Sequence, residues 1–213
     1  MNQLIIEASG PQLGLLLSSE SGVTGSVSPA DGRHDQRLLP DIKALMGQAG
    51  LRLRDVDRIG VGIGPGSFTG IRVALASAQG MAMAQGLPLY PLDSLALLAL
   101  SHGPGRWHIV MDARLGEVYQ GQYQVQKGQV ETLLAPELIR LEQLQLDPEF
   151  APLGDGWVLA SVPAQALALS PSADWLGLLE RTTPQDPEHC EPAYLRNTVS
   201  WKKLSEQPSP LSK

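Results

Sequence analysis

The stretch Gly60-Val61-Gly62-Ile63-Gly64-Pro65-Gly66-Ser67-Phe68-Thr69-Gly70-Ile71-Arg72 is where this chain comes nearest to recognisable chemistry. Glycines between an apolar strand and a helix let backbone N–H groups face outward, and the helix N-terminus adds partial positive charge. Gly64, Gly66, Ser67 and Thr69 are therefore candidate contacts for a nucleotide or another anion. The competing reading is a tight strand-to-helix turn whose glycines serve packing alone. The run is not a Walker A loop, because no Lys-Ser/Thr pair follows the glycines. It is not a dinucleotide fingerprint either, since Ser67 stands where the last glycine belongs. Nor is Ser67 a nucleophile on an elbow: two residues separate it from Gly70.

Other chemistry-bearing residues are dispersed. His34, His102, His108 and His189 include no pair three or four residues apart, and Cys190 is the single cysteine. No metal ion is expected on that basis, and neither a cofactor nor a catalytic residue is assigned. Asp112-Ala113-Arg114-Leu115-Gly116-Glu117-Val118-Tyr119 could hold an acid/base pair in Asp112 and Glu117, or an Asp-capped turn with an Arg114 ion pair. Glu191-Pro192-Ala193-Tyr194-Leu195-Arg196-Asn197 and Trp201-Lys202-Lys203 mix aromatic and basic groups. They suit contact with a nucleotide or RNA, or a packed aromatic anchor.

Elements must position these residues. Leu4–Ser9, Leu13–Ser18 and Val23–Ser28 are short apolar runs parted by turn signals, as in consecutive hairpins. Leu38, Leu39, Ile42, Leu45, Met46 and Ala49 then recur at helical spacing, with Pro40 either opening that helix or kinking it. Residues 58–63 read as a buried strand running into the glycines. A long helix follows over 67–85 and stops at Gly86 and Pro88. It carries one charged side chain, Arg72. A helix without a polar face must be covered on more than one side, so it is either a central core helix or a partner surface.

A further apolar helix is expected over 92–101, capped by Asp93 or Ser94. His102-Gly103-Pro104-Gly105 reads as a linker, dividing an N-terminal lobe, 1–102, from a smaller C-terminal lobe, 103–213. That lobe should open with a strand from Trp107 and a hairpin with arms 117–126 and 129–134. Helices are expected at Pro136 with Leu138, Leu141 and Leu144, at 164–169 and at 173–179, and a frayed tail beyond Gln207.

Of the 213 residues, 43% are apolar and 18% charged, which is ordinary for a folded protein and unlike a disordered chain. A net charge of -6 gives no general attraction to phosphate backbones, so strong direct nucleic-acid binding is not expected. The first residues lack the basic and apolar regions of a signal peptide, and no apolar run approaches membrane-spanning length. A cytoplasmic location without membrane contact is expected.

Four stretches occur together in order: His34 to Pro40, Gly64 to Arg72, Asp112 to Tyr119, and Glu191 to Asn197 with Trp201-Lys202-Lys203-Leu204. In these the chain resembles the TsaB (YeaZ) family, relatives of the ASKHA ATPases that serve threonylcarbamoyladenosine synthesis on tRNA. The resemblance implies an α/β, two-lobed ASKHA-like fold (actin/Hsp70/sugar-kinase type) with mixed sheets flanked by helices. It also implies a noncatalytic role beside the paralogue TsaD, which transfers threonylcarbamoyl to the adenosine next to the anticodon. TsaE joins that assembly, and a homodimer is conceivable when TsaD is absent. The alternative is an autonomous ATPase or peptidase-like enzyme using the Gly-rich loop.

In the family, two N-lobe helices form the TsaB–TsaD contact. They fall here on about 33–47 and 67–85, which implies partner-binding roles for Leu38, Leu39, Ile42, Met46, Phe68, Ile71, Arg72, Leu75, Ala78, Gln79 and Ala82. One departure concerns the end of the first strand, where the family's Ile-Asp-Thr type of sequence is replaced by Ile6-Glu7-Ala8-Ser9. Glu7 is longer than Asp and Ala8 lacks a hydroxyl. The paralogue's two-histidine metal motif is absent, with only His34 on that helix.

Overall fold

The computed structural model describes residues 1–30 and 32–196. The expectations for Asn197, for Trp201 to Leu204 and for a frayed tail beyond Gln207 fall outside the described residues. Strands β1 (Gln3–Glu7), β2 (Gln12–Ser19) and β3 (Gly22–Pro29) form an antiparallel meander. Helix α1 (His34–Gln48) begins well before Pro40 and runs through it. Strand β4 (Arg58–Gly62) then pairs parallel to β1.

Helix α2 (Phe68–Gln85) starts at Ser67, whose hydroxyl accepts from the backbone N–H of Gly70, and ends at Gly86 in the left-handed region. Strand β5 (Leu89–Leu92) completes a sheet of order β3-β2-β1-β4-β5. This strand escapes the sequence reading because Leu89-Tyr90-Pro91-Leu92 is short and contains a proline. A proline is tolerated here because β5 lies at the sheet's edge.

Asp93 caps helix α3 (Ser94–His102) by accepting from the N–H of Leu95. Strands β6 (Gly105–Arg114), β7 (Glu117–Gln126) and β8 (Gln129–Arg140) form a second meander, with β9 (Ala151–Leu153) parallel to β6. The resulting order, β8-β7-β6-β9, repeats β3-β2-β1-β4 of the first sheet. The chain thus adopts the expected α/β architecture of two mixed sheets flanked by helices.

Two expected helices are corrected. The segment at Pro136 and Leu138 is strand β8 to Arg140. Gln120 pairs with Glu137 and Gln122 with Leu134, so Ala135-Pro136 supplies an extra residue, a bulge on an edge strand where a missing N–H costs little. Leu141 lies in a single helical turn. Residues 164–169 are extended, and Gln165 forms a bridge to Leu153. The helices of this half are instead α4 (Asp155–Leu159) and α5 (Asp174–Arg181), the latter close to the expected 173–179.

Packing follows from which face of each strand is apolar. Leu4, Ile6, Leu13, Leu15 and Leu17 face α1 and α2. Ile5 and Leu16 face the opposite way, toward α3, β6, β7 and α5, whose Trp107, Ile109, Tyr123, Trp175 and Leu179 close a second core. Every residue of α3 from Ser94 to Leu100 is buried. Among the described residues, no helix is long and apolar enough to cross a membrane.

Candidate functional site

The Gly-rich loop uses its own polar groups. The N–H of Gly64 donates to the hydroxyl of Ser94 at 3.0 Å, and the N–H of Ser94 donates back to the carbonyl of Gly64 at 3.1 Å. The N–H of Ser67 donates to the carbonyl of Ser9 at 2.6 Å. The glycines carry a second requirement: a Cβ on Gly66 would collide with the Ser9 carbonyl, and one on Gly70 with the Ala8 carbonyl. Backbone approaches that close are open only to glycine. Of the four candidate nucleotide contacts, Gly64 thus ties the loop to the start of α3, Gly66 and Ser67 seat it against Ser9 just beyond β1, and Thr69 is exposed.

The β1 corner is filled by the chain's own side chains. Glu7 is fully buried, with Oε1 accepting from the Ser9 N–H at 2.5 Å and Oε2 lying against Gly62. Burial pushes its carboxyl above the usual range, opposed by the neighbouring Ser9 and Ser94. His34 is also buried, against Gly70, and burial lowers its imidazole toward the neutral form. The Oε2 of Glu7, the hydroxyl of Ser9 and the Nε2 of His34 have no partner among the described residues.

The 112–117 turn is built as a capped turn. Asp112 accepts from the N–H of Arg114 at 2.7 Å and pairs with its guanidinium at 2.9 Å. Leu115 and Gly116, both at positive φ, make the two-residue connection that matches strand twist in a hairpin. Glu117 is paired with Arg196 at 2.7 Å. Each carboxylate has its own arginine, so the two do not form an isolated acid/base pair. Among the described residues no group of three His, Cys, Asp or Glu side chains converges as a metal site would require.

The helix pair α1–α2 divides the eleven residues assigned to partner binding. Leu38, Ile42 and Met46 on α1, and Ile71, Leu75, Ala78 and Ala82 on α2, are buried beneath the helices, Ala78 and Ala82 completely. Their side chains belong to the chain's own core and cannot meet another protein while it is folded. Gln79 is half-buried, and its amide donates to the carbonyls of Pro187 and Cys190. Leu39, Phe68 and Arg72 are exposed.

Sequence reading passed over the rest of the outer face. Phe68, Arg72, Ala76, Gly80 and Ala84 are all exposed and four residues apart, so they form one row along α2. Met83 flanks that row, and Leu39 lies on the outer side of α1. Phe68, Leu39 and Met83 are 63%, 55% and 54% exposed, unusual values for large apolar side chains on adjacent helices. A row of small residues bordered by large apolar ones permits close approach by another helix.

Comparison with known proteins gives a consistent answer. Residues 20–157 match the family profile described as TsaD: tRNA N6-adenosine threonylcarbamoyltransferase. The chain is 31% identical to the Escherichia coli tRNA threonylcarbamoyladenosine biosynthesis protein TsaB over 96% of its own length and 98% of that protein. It is 34% identical to the Haemophilus influenzae protein of the same name, over 82% of this chain and 85% of that one. Among solved structures, YeaZ from Pseudomonas aeruginosa superimposes with a TM-score of 0.77 at 30% identity, covering 91% of this chain and 99% of that one.

Proposed function

Because the chain belongs to the TsaB family, within the wider family described by the TsaD profile, we propose that it acts in threonylcarbamoyl modification of tRNA as a noncatalytic partner of TsaD. The docking surface is the outer face of α1 and α2. The observation that carries this reading is the exposed row from Phe68 to Ala84, bordered by Leu39 and Met83, on a helix whose single charge is Arg72. A row of that kind is costly to leave in water and gains from a partner helix.

The proposal assigns the chain no chemistry of its own. Its Gly-rich loop spends Gly64 and Ser67 on internal hydrogen bonds, and its β1 corner is occupied by Glu7 and Ser9. TsaE enters the same assembly, tRNA is met through TsaD, and the work is done in the cytoplasm. In the absence of TsaD the same face can pair with a second copy across a two-fold axis.

The test is reconstitution with purified components. TsaD, TsaE and the enzyme that makes threonylcarbamoyl-adenylate should modify tRNA only when this chain is added. The chain alone should neither modify tRNA nor hydrolyse ATP. Full modification without it refutes the proposal.

A further inference from the structure

The last described residues form a strap. Gln185 exchanges backbone hydrogen bonds with Leu89, and Gln79 on α2 holds the carbonyls of Pro187 and Cys190. The N–H of Ala193 then donates to the carbonyl of Ile63, just before the Gly-rich loop. Beyond it, Arg196 reaches the second sheet's 112–117 turn, donating to the carbonyl of Ala113 and pairing with Glu117. The strap is thus tied to both sheets, and Tyr194 lies between its last two anchor points.

At Tyr194 the strap meets the exposed row. The Arg72 guanidinium donates to the Tyr194 hydroxyl at 2.8 Å and stacks over the Phe68 ring with its carbon 3.6 Å from the ring centre. Tyr194 itself remains 53% exposed. Among the described residues Arg72 has no carboxylate within ion-pair distance. Arg72 thus bridges Phe68 and Tyr194 at the end of a small-residue row. Tyr and Arg dominate binding energy in protein interfaces, and groups already ordered forfeit less freedom on docking.

We infer that the docking surface is composite, with the strap's Tyr194 an anchor residue equal in rank to those of α2, and with Arg72 awaiting an acidic side chain of the partner. The inference rests on the proposed TsaD partnership and adds to it a part of the chain more than a hundred residues from the helix pair. A protein occupant fits better than a stacked base, because the Phe68–Arg72–Tyr194 cluster continues directly into the row of Ala76, Gly80 and Ala84, which suits a helix. An acid on the partner completes the charge of Arg72, which is unpaired among the described residues.

Affinity for TsaD would be measured for the full chain and for Tyr194→Ala, Tyr194→Phe and Gly80→Arg, each with its melting curve. Tyr194→Ala should weaken binding about tenfold or more, mainly through faster dissociation, while melting as the parent does. Tyr194→Phe keeps the ring, loses the hydroxyl tether and should fall between the two. Gly80→Arg reads the helix face alone. If Gly80→Arg abolishes binding and Tyr194→Ala stays within twofold of the parent, the strap is no part of the surface and the inference is overturned. If neither variant changes affinity, the helix-face reading fails and the inference falls with it. If Tyr194→Ala leaves TsaD affinity intact but removes binding of added ATP, the cluster is a nucleotide platform and the inference is again overturned.

Discussion

Gly80 allows stability and association to be moved in opposite directions by one methyl group. It lies in the interior of α2, is exposed, and a Cβ placed there would meet nothing within 4 Å. In a free helix interior, glycine costs roughly 0.5–1 kcal/mol relative to alanine through the chain entropy it forfeits on folding. Gly80→Ala should therefore stabilise the isolated protein by about that amount. For a chain of this length each kcal/mol corresponds to about 2–4 °C, so Tm should rise by roughly 1–4 °C in differential scanning calorimetry. In the complex the added methyl group stands in the row where a partner helix approaches, and overpacking there should weaken TsaD binding by about 1–3 kcal/mol, or roughly five- to 150-fold. Titration calorimetry on the same preparation measures that loss. A variant that melts higher and binds TsaD as tightly as the parent would refute close helix approach at Gly80.

Two further predictions concern buried ionisable groups. Glu7 has a raised folded-state pKa, so its stabilising contribution is complete below the ordinary glutamate value and is lost as pH rises through the folded value. Glu7→Gln should raise the urea midpoint at pH 7.5 and reduce the decline in stability toward alkaline pH; a lower midpoint with an unchanged decline would count against a neutral Glu7. His34 and His108 have lowered folded-state pKa values through burial. Their contribution is full above the ordinary histidine value and is lost as pH falls from about 6.5 through the folded values. Urea midpoints taken between pH 7.5 and pH 5 should fall, and the slope should lessen in a His34→Asn, His108→Asn double variant; a flat profile for the parent would contradict this.

How much of this was legible in the sequence depends on the kind of signal each residue carries. Gly64 to Gly70, the Ser67 cap and the Gly86 stop mark α2 because turn and cap chemistry is local. The meander β1–β3 was legible for the same reason, since turn residues punctuate apolar runs. Strand β5 and the end of β8 were hidden by Pro91 and Pro136, which argue against strands except at edges and bulges, and edge status is a tertiary fact. The repeat of strand order between the sheets left no periodic trace, because topology constrains which elements pair and not which residues build them.

The candidate interface was legible as a helix but not as a face. Ala76 and Ala78, or Gly80 and Ala82, are alike in size and polarity, so nothing local distinguishes the exposed row from the buried one. Only the packing of Ala74, Ala78 and Ala82 onto β1 and β4 does. Exposure of Phe68 and Met83 was equally invisible, since apolarity alone suggests burial. The strap was unreadable because its ties are backbone carbonyls and side chains such as Gln79, joined across more than a hundred residues.

Helix α3, buried from Ser94 to Leu100 between the two sheets, bears on how the chain is made. As the polypeptide leaves the ribosome, the first sheet can assemble with α1 and α2, but α3 then has one flank bare until β6, β7 and finally Trp175 and Leu179 arrive. At roughly 5–20 residues per second that interval lasts several seconds. During it the nascent chain presents a greasy helix to its surroundings, a natural target for a ribosome-associated chaperone, and translation stalls downstream of residue 102 would be expected to yield insoluble fragments instead of a free-standing half.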